Sequence, residues 1–312
     1  MRTSTIAVCL LVAAQAGAAD DLRVVTGTGL RVRAAPDTTS EVLEKLELGA
    51  TAACLGRVGE AVVGEKKGAF CRTRLADGRE GYFFEPLTGP FDPARPEAAW
   101  QAIVDERTAA LPYCAQKRKE DVWGFQRFLL GRAAAATGPA DKARWELAEL
   151  RLIKVQACLY LGGDARVYRD EAQGARLKRE ALWAFVDRAH GTPAAEEGAW
   201  LAVEHGHDFE CEGYLPCYLA WKRNVEAEYL KRFPDGPHAQ DAVRGIGEAA
   251  RPVLAALEKG ELGREDLGEY DLGVLASIRQ ALAPVKADEA RTVAQVLEQI
   301  EARVRAFPAK AP

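Results

Sequence analysis

The chain has 312 residues, of which 48% are hydrophobic and 28% charged, with a formal net charge of −4. So small a charge over this length gives no basic face and argues against a nucleic-acid partner. The length is enough for two domains, and the abundance of Ala, Arg, Leu and Glu beside a single Met favours helices over most of it.

Residues 1–19, MRTSTIAVCLLVAAQAGAA, read as a cleaved secretory signal. Arg2 and the free amino group supply the positive start, and Ile6 to Ala14 form an apolar run too short to span a bilayer. Ala16-Gly17-Ala18 gives the small-residue cleavage pattern. Cys9 lies too early, and without a small residue before it, to be a lipid-attachment site. No other segment reaches eighteen consecutive apolar residues, so no membrane span is expected after cleavage. The expected location is periplasmic or extracellular.

Export sets how the cysteines are read. Beyond Cys9 the chain holds six: Cys54, Cys71, Cys114, Cys158, Cys211 and Cys217. An even number in an oxidising compartment favours disulfides, although six cysteines allow about fifteen pairings. Proximity in sequence suggests 54–71, 114–158 and 211–217.

Residues 21–90 alternate short apolar runs with Gly, Pro and Asp. Leu30 and Val32 alternate with Arg31 and Arg33, the period of a half-buried strand. Further strands are expected at 50–57 and 69–75, then a turn at Ala76-Asp77-Gly78 and a closing strand from Gly81. Leu30, Val32, Arg33, Pro36, Val42, Leu46 and Gly49, then Arg74, Gly78, Gly81 and Tyr82, follow the order of a bacterial SH3 (SH3b) domain, which this segment resembles. Tyr82 and Phe70 stand at or near two positions where that family usually carries Trp. The resemblance implies a small β-barrel, and it implies binding of cell-wall peptides, of peptidoglycan, or a targeting role. Phe70 and Tyr82 are the candidate binding residues.

TGPFDPARPE, residues 88–97, carries three prolines and marks the expected domain boundary. From Glu97 the pattern turns helical. Trp100, Ile103 and Val104 share a face, as do Trp123, Phe128 and Leu129 more loosely, and Leu182, Trp183, Phe185 and Val186 do the same further on. Residues 184–200 match 228–244 at a constant offset of 44: Phe185 with Tyr229, Arg188 with Arg232, Pro193 with Pro237, Ala195 with Ala239. Each unit reads as helix, Gly-Pro turn, helix, the proline marking the start of the second helix. The segment AEYLKRFPDGPHAQDA, residues 227–242, resembles the helix-turn-helix junction of tetratricopeptide-like repeats in bacterial envelope proteins. That resemblance implies a protein partner held on the face of a solenoid. The helical domain is expected over 97–258, an exposed loop over 259–271 and a C-terminal helical hairpin over 272–306. The fold class is therefore multidomain β + α: an SH3-like β-barrel, then an all-α helical-hairpin solenoid or bundle.

One stretch concentrates reactive residues. EHGHDFECEGYLPC, residues 204–217, holds two histidines, four acids and two cysteines. His205, His207 and Asp208 could converge on zinc or copper if the preceding helix ends there, which makes a metal-dependent enzyme or metal carrier the alternative reading. The competing reading is a loop closed by Cys211 and Cys217, with Gly213 and Pro216 helping it turn. His190 and His238 lie in the repeat turns. No H-E-x-x-H, C-x-x-C, G-x-S-x-G or phosphate-binding loop occurs, so no catalytic residue and no cofactor is assigned. The expectation is an exported envelope protein that binds a partner and catalyses nothing.

Overall fold

The computed structural model describes residues 21–114, 118–171, 174–205 and 211–307. They fall into two compact units, one ending at Leu129 and the other beginning at Leu130. The first is β-rich and the second helical, as the composition and patterning anticipate.

In the first unit, β1 (Asp21–Val25), β4 (Thr51–Cys54) and β8 (Thr88–Pro90) form an antiparallel sheet in the order β4-β1-β8. A second antiparallel sheet, β3-β2-β7-β6-β5, is built from β2 (Leu30–Arg33), β3 (Val42–Leu46), β5 (Gly56–Val63), β6 (Lys66–Arg74) and β7 (Glu80–Phe84). Alternation along β2 does what the sequence requires: Leu30 and Val32 are buried while Arg31 is exposed. Val25, Leu30, Val32, Cys54, Cys71 and Phe83 make the core between the sheets.

The strand expected at 50–57 is two strands. β4 pairs with β1, whereas β5 pairs with β6, so the chain changes sheet at Leu55, whose N–H donates to Arg72 O. A turn at Gly64, with φ +61°, then folds β5 onto β6. β5 went unread because most of its residues are exposed, which removes the alternation that marks a half-buried strand.

Two helices follow, α1 (Pro96–Ala110) and α2 (Lys119–Ala135). The boundary expected at 88–97 is displaced, because α1 and the first part of α2 belong to the β-rich unit. The reason is close packing at glycine. A Cβ on Gly49, which has φ +80°, would fall 2.4 Å from the Phe128 ring, and one on Gly124 would fall 2.4 Å from Thr28. The Arg107 Nη2 also donates to the Thr26 carbonyl at 2.5 Å. The proline-rich segment thus lies within a unit and runs from β8 through a turn into the start of α1.

The second unit holds α3 (Pro139–Val155), the short α4 (Ala157–Tyr160), α5 (Arg179–Arg188), α6 (Pro193–Val203), α7 (Leu215–Asn224), α8 (Glu226–Arg232), α9 (Ala239–Glu258), α10 (Glu269–Leu282) and α11 (Asp288–Arg305). Pro139 and Pro193 open α3 and α6 in the first turn, where the missing N–H costs nothing. α5 packs on α6, and α6 packs on α3 and α8. α9 packs on α7, α8 and α11, while α10 packs on α7, α8 and α11. After Lys178, helices adjacent in the chain pack together: α5 with α6, α7 and α8 with α9, and α10 with α11. The all-α expectation needs one correction. β9 (Val167–Asp170) and β10 (Gly174–Leu177) pair antiparallel, with Val167 opposite Leu177 and both buried. Four-residue strands are too short for a readable period.

Candidate functional site

The two candidate binding residues of the β-rich unit divide sharply. Phe70 lies on β6 at 2% exposure, its ring 5.5 Å from that of Phe84. It is a core side chain and offers no surface, so its role as a binding residue is withdrawn. Tyr82, on β7, is half-buried between Arg33 of β2 and Arg72 of β6. Cys54 and Cys71 are bonded, linking β4 to β6 inside the core, with Cys71 fully buried.

In the helical unit, Cys211 and Cys217 are bonded across a separation of six residues. The bond closes the turn that leads into α7: Tyr214 N–H donates to Cys211 O at 2.7 Å, and Cys217 N–H to Tyr214 O at 3.1 Å. Glu212 takes φ +46° and Gly213 φ +84° to make it. Cys114 and Cys158 are each oxidised in disulfides as well. Six oxidised cysteines fit an oxidising, exported location. No helix among the described residues is long and apolar enough to cross a membrane.

His207 and Asp208 lie outside the described residues. His205 ends the turn after α6 at 7% exposure, and neither ring nitrogen makes a well-formed hydrogen bond. Its carbonyl accepts from Arg176 Nη2 at 2.6 Å. Burial, then the cations Arg176 and Lys154, hold the imidazole pKa down at about 4. A neutral imidazole could ligate a metal, but Cys211 and Cys217 are disulfide sulfurs, not thiolates. Among the described residues, no group of three or more His, Cys, Asp or Glu is placed to hold a metal ion.

A groove lies between α7, into which the disulfide-closed turn leads, and α9. Leu215, Tyr218 and Lys222 of α7 face Gly245, Ala249 and Pro252 of α9 across a cavity of about 300 Å³. The spacings, i, i+3, i+7 on one helix and i, i+4, i+7 on the other, put each set on a single face. Pro252 sits inside α9 and lacks the N–H that would bond the Glu248 carbonyl, and Glu248 also lines the groove.

At the inner end of this groove lies an acid that sequence reading did not single out. α7 and α8 are separated by one residue, Val225, with φ −124° and ψ −81°. Lys222 Nζ donates across that break to Glu226 Oε1. Glu226 is 5% exposed, and its Oε2 is buried with no hydrogen-bond partner. Burial raises the Glu226 pKa above the usual carboxylate range, even though Lys222 and Arg179 pull it down. A Cβ on Gly245 would come 2.9 Å from Glu226 Oε1 and 3.4 Å from Lys222 Nζ. The missing side chain on α9 is what lets the pair fit. The signal was present as K-x-x-x-E over 222–226, but such pairs are usually solvated and carry no mark of burial.

No protein-family model, curated protein or solved structure matches this chain.

Proposed function

We propose that this is an exported binding protein of the bacterial envelope, with an SH3b-like barrel and a tetratricopeptide-like helical unit that holds a protein partner. The barrel reading rests on the sequence order from Leu30 to Tyr82, and two antiparallel sheets around a single core are consistent with it. The helical reading rests on the resemblance of residues 227–242, and successive helix pairs after Lys178 are consistent with that.

The observation that carries the reading is the groove between α7 and α9. It offers apolar contact from Leu215, Tyr218, Ala249 and Pro252, with the charged groups Lys222 and Glu248 alongside. That composition suits an apolar segment of a partner protein fixed by a few polar contacts. The disulfide at the start of α7 stiffens one wall, which lowers the ordering cost of binding.

The test is capture from the envelope fraction of the source cells, comparing the mature chain with Ala249→Trp, which fills the groove. Partners that bind the parent and are lost from the folded variant support the reading, and equal recovery on both removes the groove from it. Sedimentation with purified peptidoglycan tests the barrel separately. If the first unit fails to pellet with it, the wall-binding part of the reading is removed.

A further inference from the structure

Glu226 is a buried titratable group of the helical unit with an incomplete set of partners. One carboxylate oxygen takes the Lys222 ammonium and the other takes nothing. The pair spans the break at Val225, so it ties the end of α7 to the start of α8. The charges acting on Glu226 are Lys222 from α7 and Arg179 from α5, both favouring its ionised form. α9 presents the bare backbone of Gly245 there, preceded in sequence by Arg244, which pairs with Asp241, and followed three residues on by Glu248. α6 contributes Glu196, which accepts from the Tyr229 hydroxyl, and α10 contributes Ser277, which accepts from Lys231.

Two states of this pair have different geometric requirements. With Glu226 ionised, the ammonium and carboxylate neutralise each other beneath Gly245. With Glu226 protonated, Lys222 keeps its charge but loses its counter-ion, and a lone ammonium is disfavoured in so dry a site. Its way out is already open, because Lys222 lines the α7–α9 groove. We propose that Lys222 and Glu226 form a proton-operated latch. Ionised Glu226 holds Lys222 inward across the Val225 break, and protonation releases the ammonium into the groove. Acidification would thereby add a positive charge to the groove and loosen the joint between α7 and α8. A compartment outside the cytoplasm follows the external pH, which makes such a latch usable.

The structure supplies the reporter. Lys222 Nζ sits 4.4 Å from the centre of the Trp221 ring, so its departure changes the indole's surroundings. The experiment is a titration of the mature full-length chain from pH 8 to pH 4. Tryptophan emission is followed, and the same titration of Trp221→Phe is subtracted to isolate Trp221. The expected result is one transition, centred above the ordinary glutamate range because burial disfavours the charged carboxylate. Glu226→Gln should abolish it and give the acid-form emission already at pH 8. A flat difference curve, or a transition that survives in Glu226→Gln, overturns the latch. Should Glu226→Gln fail to fold, the unsubstituted chain can be reductively methylated with ¹³C. The Lys222 resonance is assigned by its loss in Lys222→Arg. It should move through the same midpoint, and a resonance that stays fixed across the range overturns the proposal.

Discussion

The imidazole of His238 lies flat on the indole of Trp200, with ring centres 4.2 Å apart and planes 7° from parallel. Trp200 is on α6 and His238 caps the start of α9, so the contact ties one helix pair to the turn of the next. Tyr229 completes the joint. Its ring meets Trp200 edge-on at 5.5 Å, its hydroxyl donates to Glu196 Oε1 at 2.5 Å, and the Tyr229 hydroxyl oxygen accepts the His238 N–H at 3.2 Å. Stacked aromatic pairs contribute about 1 kcal/mol beyond their burial. His238→Ala should therefore cost about 1 kcal/mol. Trp200→Ala should cost roughly 3 kcal/mol, because it also opens a hole against Tyr229. Urea denaturation followed by far-UV circular dichroism measures both, and equal losses would mean that packing of Trp200 against Tyr229 adds nothing to the stack.

Gly245 and Gly131 make opposite predictions from the same substitution. Glycine inside a helix is normally worse than alanine by about 1 kcal/mol. Gly131, in α2, has nothing within 4 Å of an added Cβ, so Gly131→Ala should stabilise the chain by about that amount. At Gly245 the new methyl meets Glu226 Oε1 at 2.9 Å and Lys222 Nζ at 3.4 Å. Displacing that buried pair should outweigh the helix gain and give a net loss of roughly 1–3 kcal/mol. Thermal melts of the two variants should shift in opposite directions. A stabilised Gly245→Ala would mean the pair is free to move aside.

The division into a β part and an α part was legible because β2 keeps its alternation and the helices keep their faces. What the sequence hid was long-range. The domain boundary was misplaced because Pro-rich residues 88–97 look like a linker, while the contacts that attach α1 and α2 to the strands come from Gly49 and Thr28, far back in the chain. Phe70 looked like a ligand position because it stands near where SH3b domains, which the segment resembles in sequence order, keep an aromatic residue, yet type alone does not tell whether a strand residue points in or out. Glu226 was invisible for a similar reason. A Glu four residues after a Lys is an ordinary surface pattern, and only the absence of a side chain at Gly245 shows that this pair is covered.

The reassignment of Phe70 carries its own test. As a core residue 2% exposed, Phe70→Ala should cost about 3–5 kcal/mol. Tyr82→Ala, at a half-buried site on the neighbouring strand, should cost less. Cys54→Ala with Cys71→Ala should cost roughly 2–5 kcal/mol by releasing the β4–β6 link. Denaturation monitored by circular dichroism ranks the three, and Tyr82→Ala emerging as costlier than Phe70→Ala would reverse the assignment of faces.

His205 sets a pH dependence whose sign follows from its burial. In the unfolded chain its imidazole titrates near 6.5, whereas in the folded chain burial and the nearby Arg176 and Lys154 lower the value to about 4. Between these values the unfolded chain binds a proton that the folded chain refuses, so stability falls as the solution is acidified. The contribution is fully present above pH 6.5 and is lost progressively towards pH 4. It amounts to about 3 kcal/mol from the difference between the two values. Glu226 acts in the opposite sense. Its folded value is raised, so its contribution is present in acid and is lost as pH rises through that folded value. His205→Leu keeps an apolar side chain in the buried site and removes the titration. It should leave stability at pH 7.5 little changed and flatten the decline between pH 6.5 and 4. Urea midpoints of the parent and His205→Leu, taken at half-unit steps across that window, decide it: parallel curves would place the acid sensitivity elsewhere in the fold.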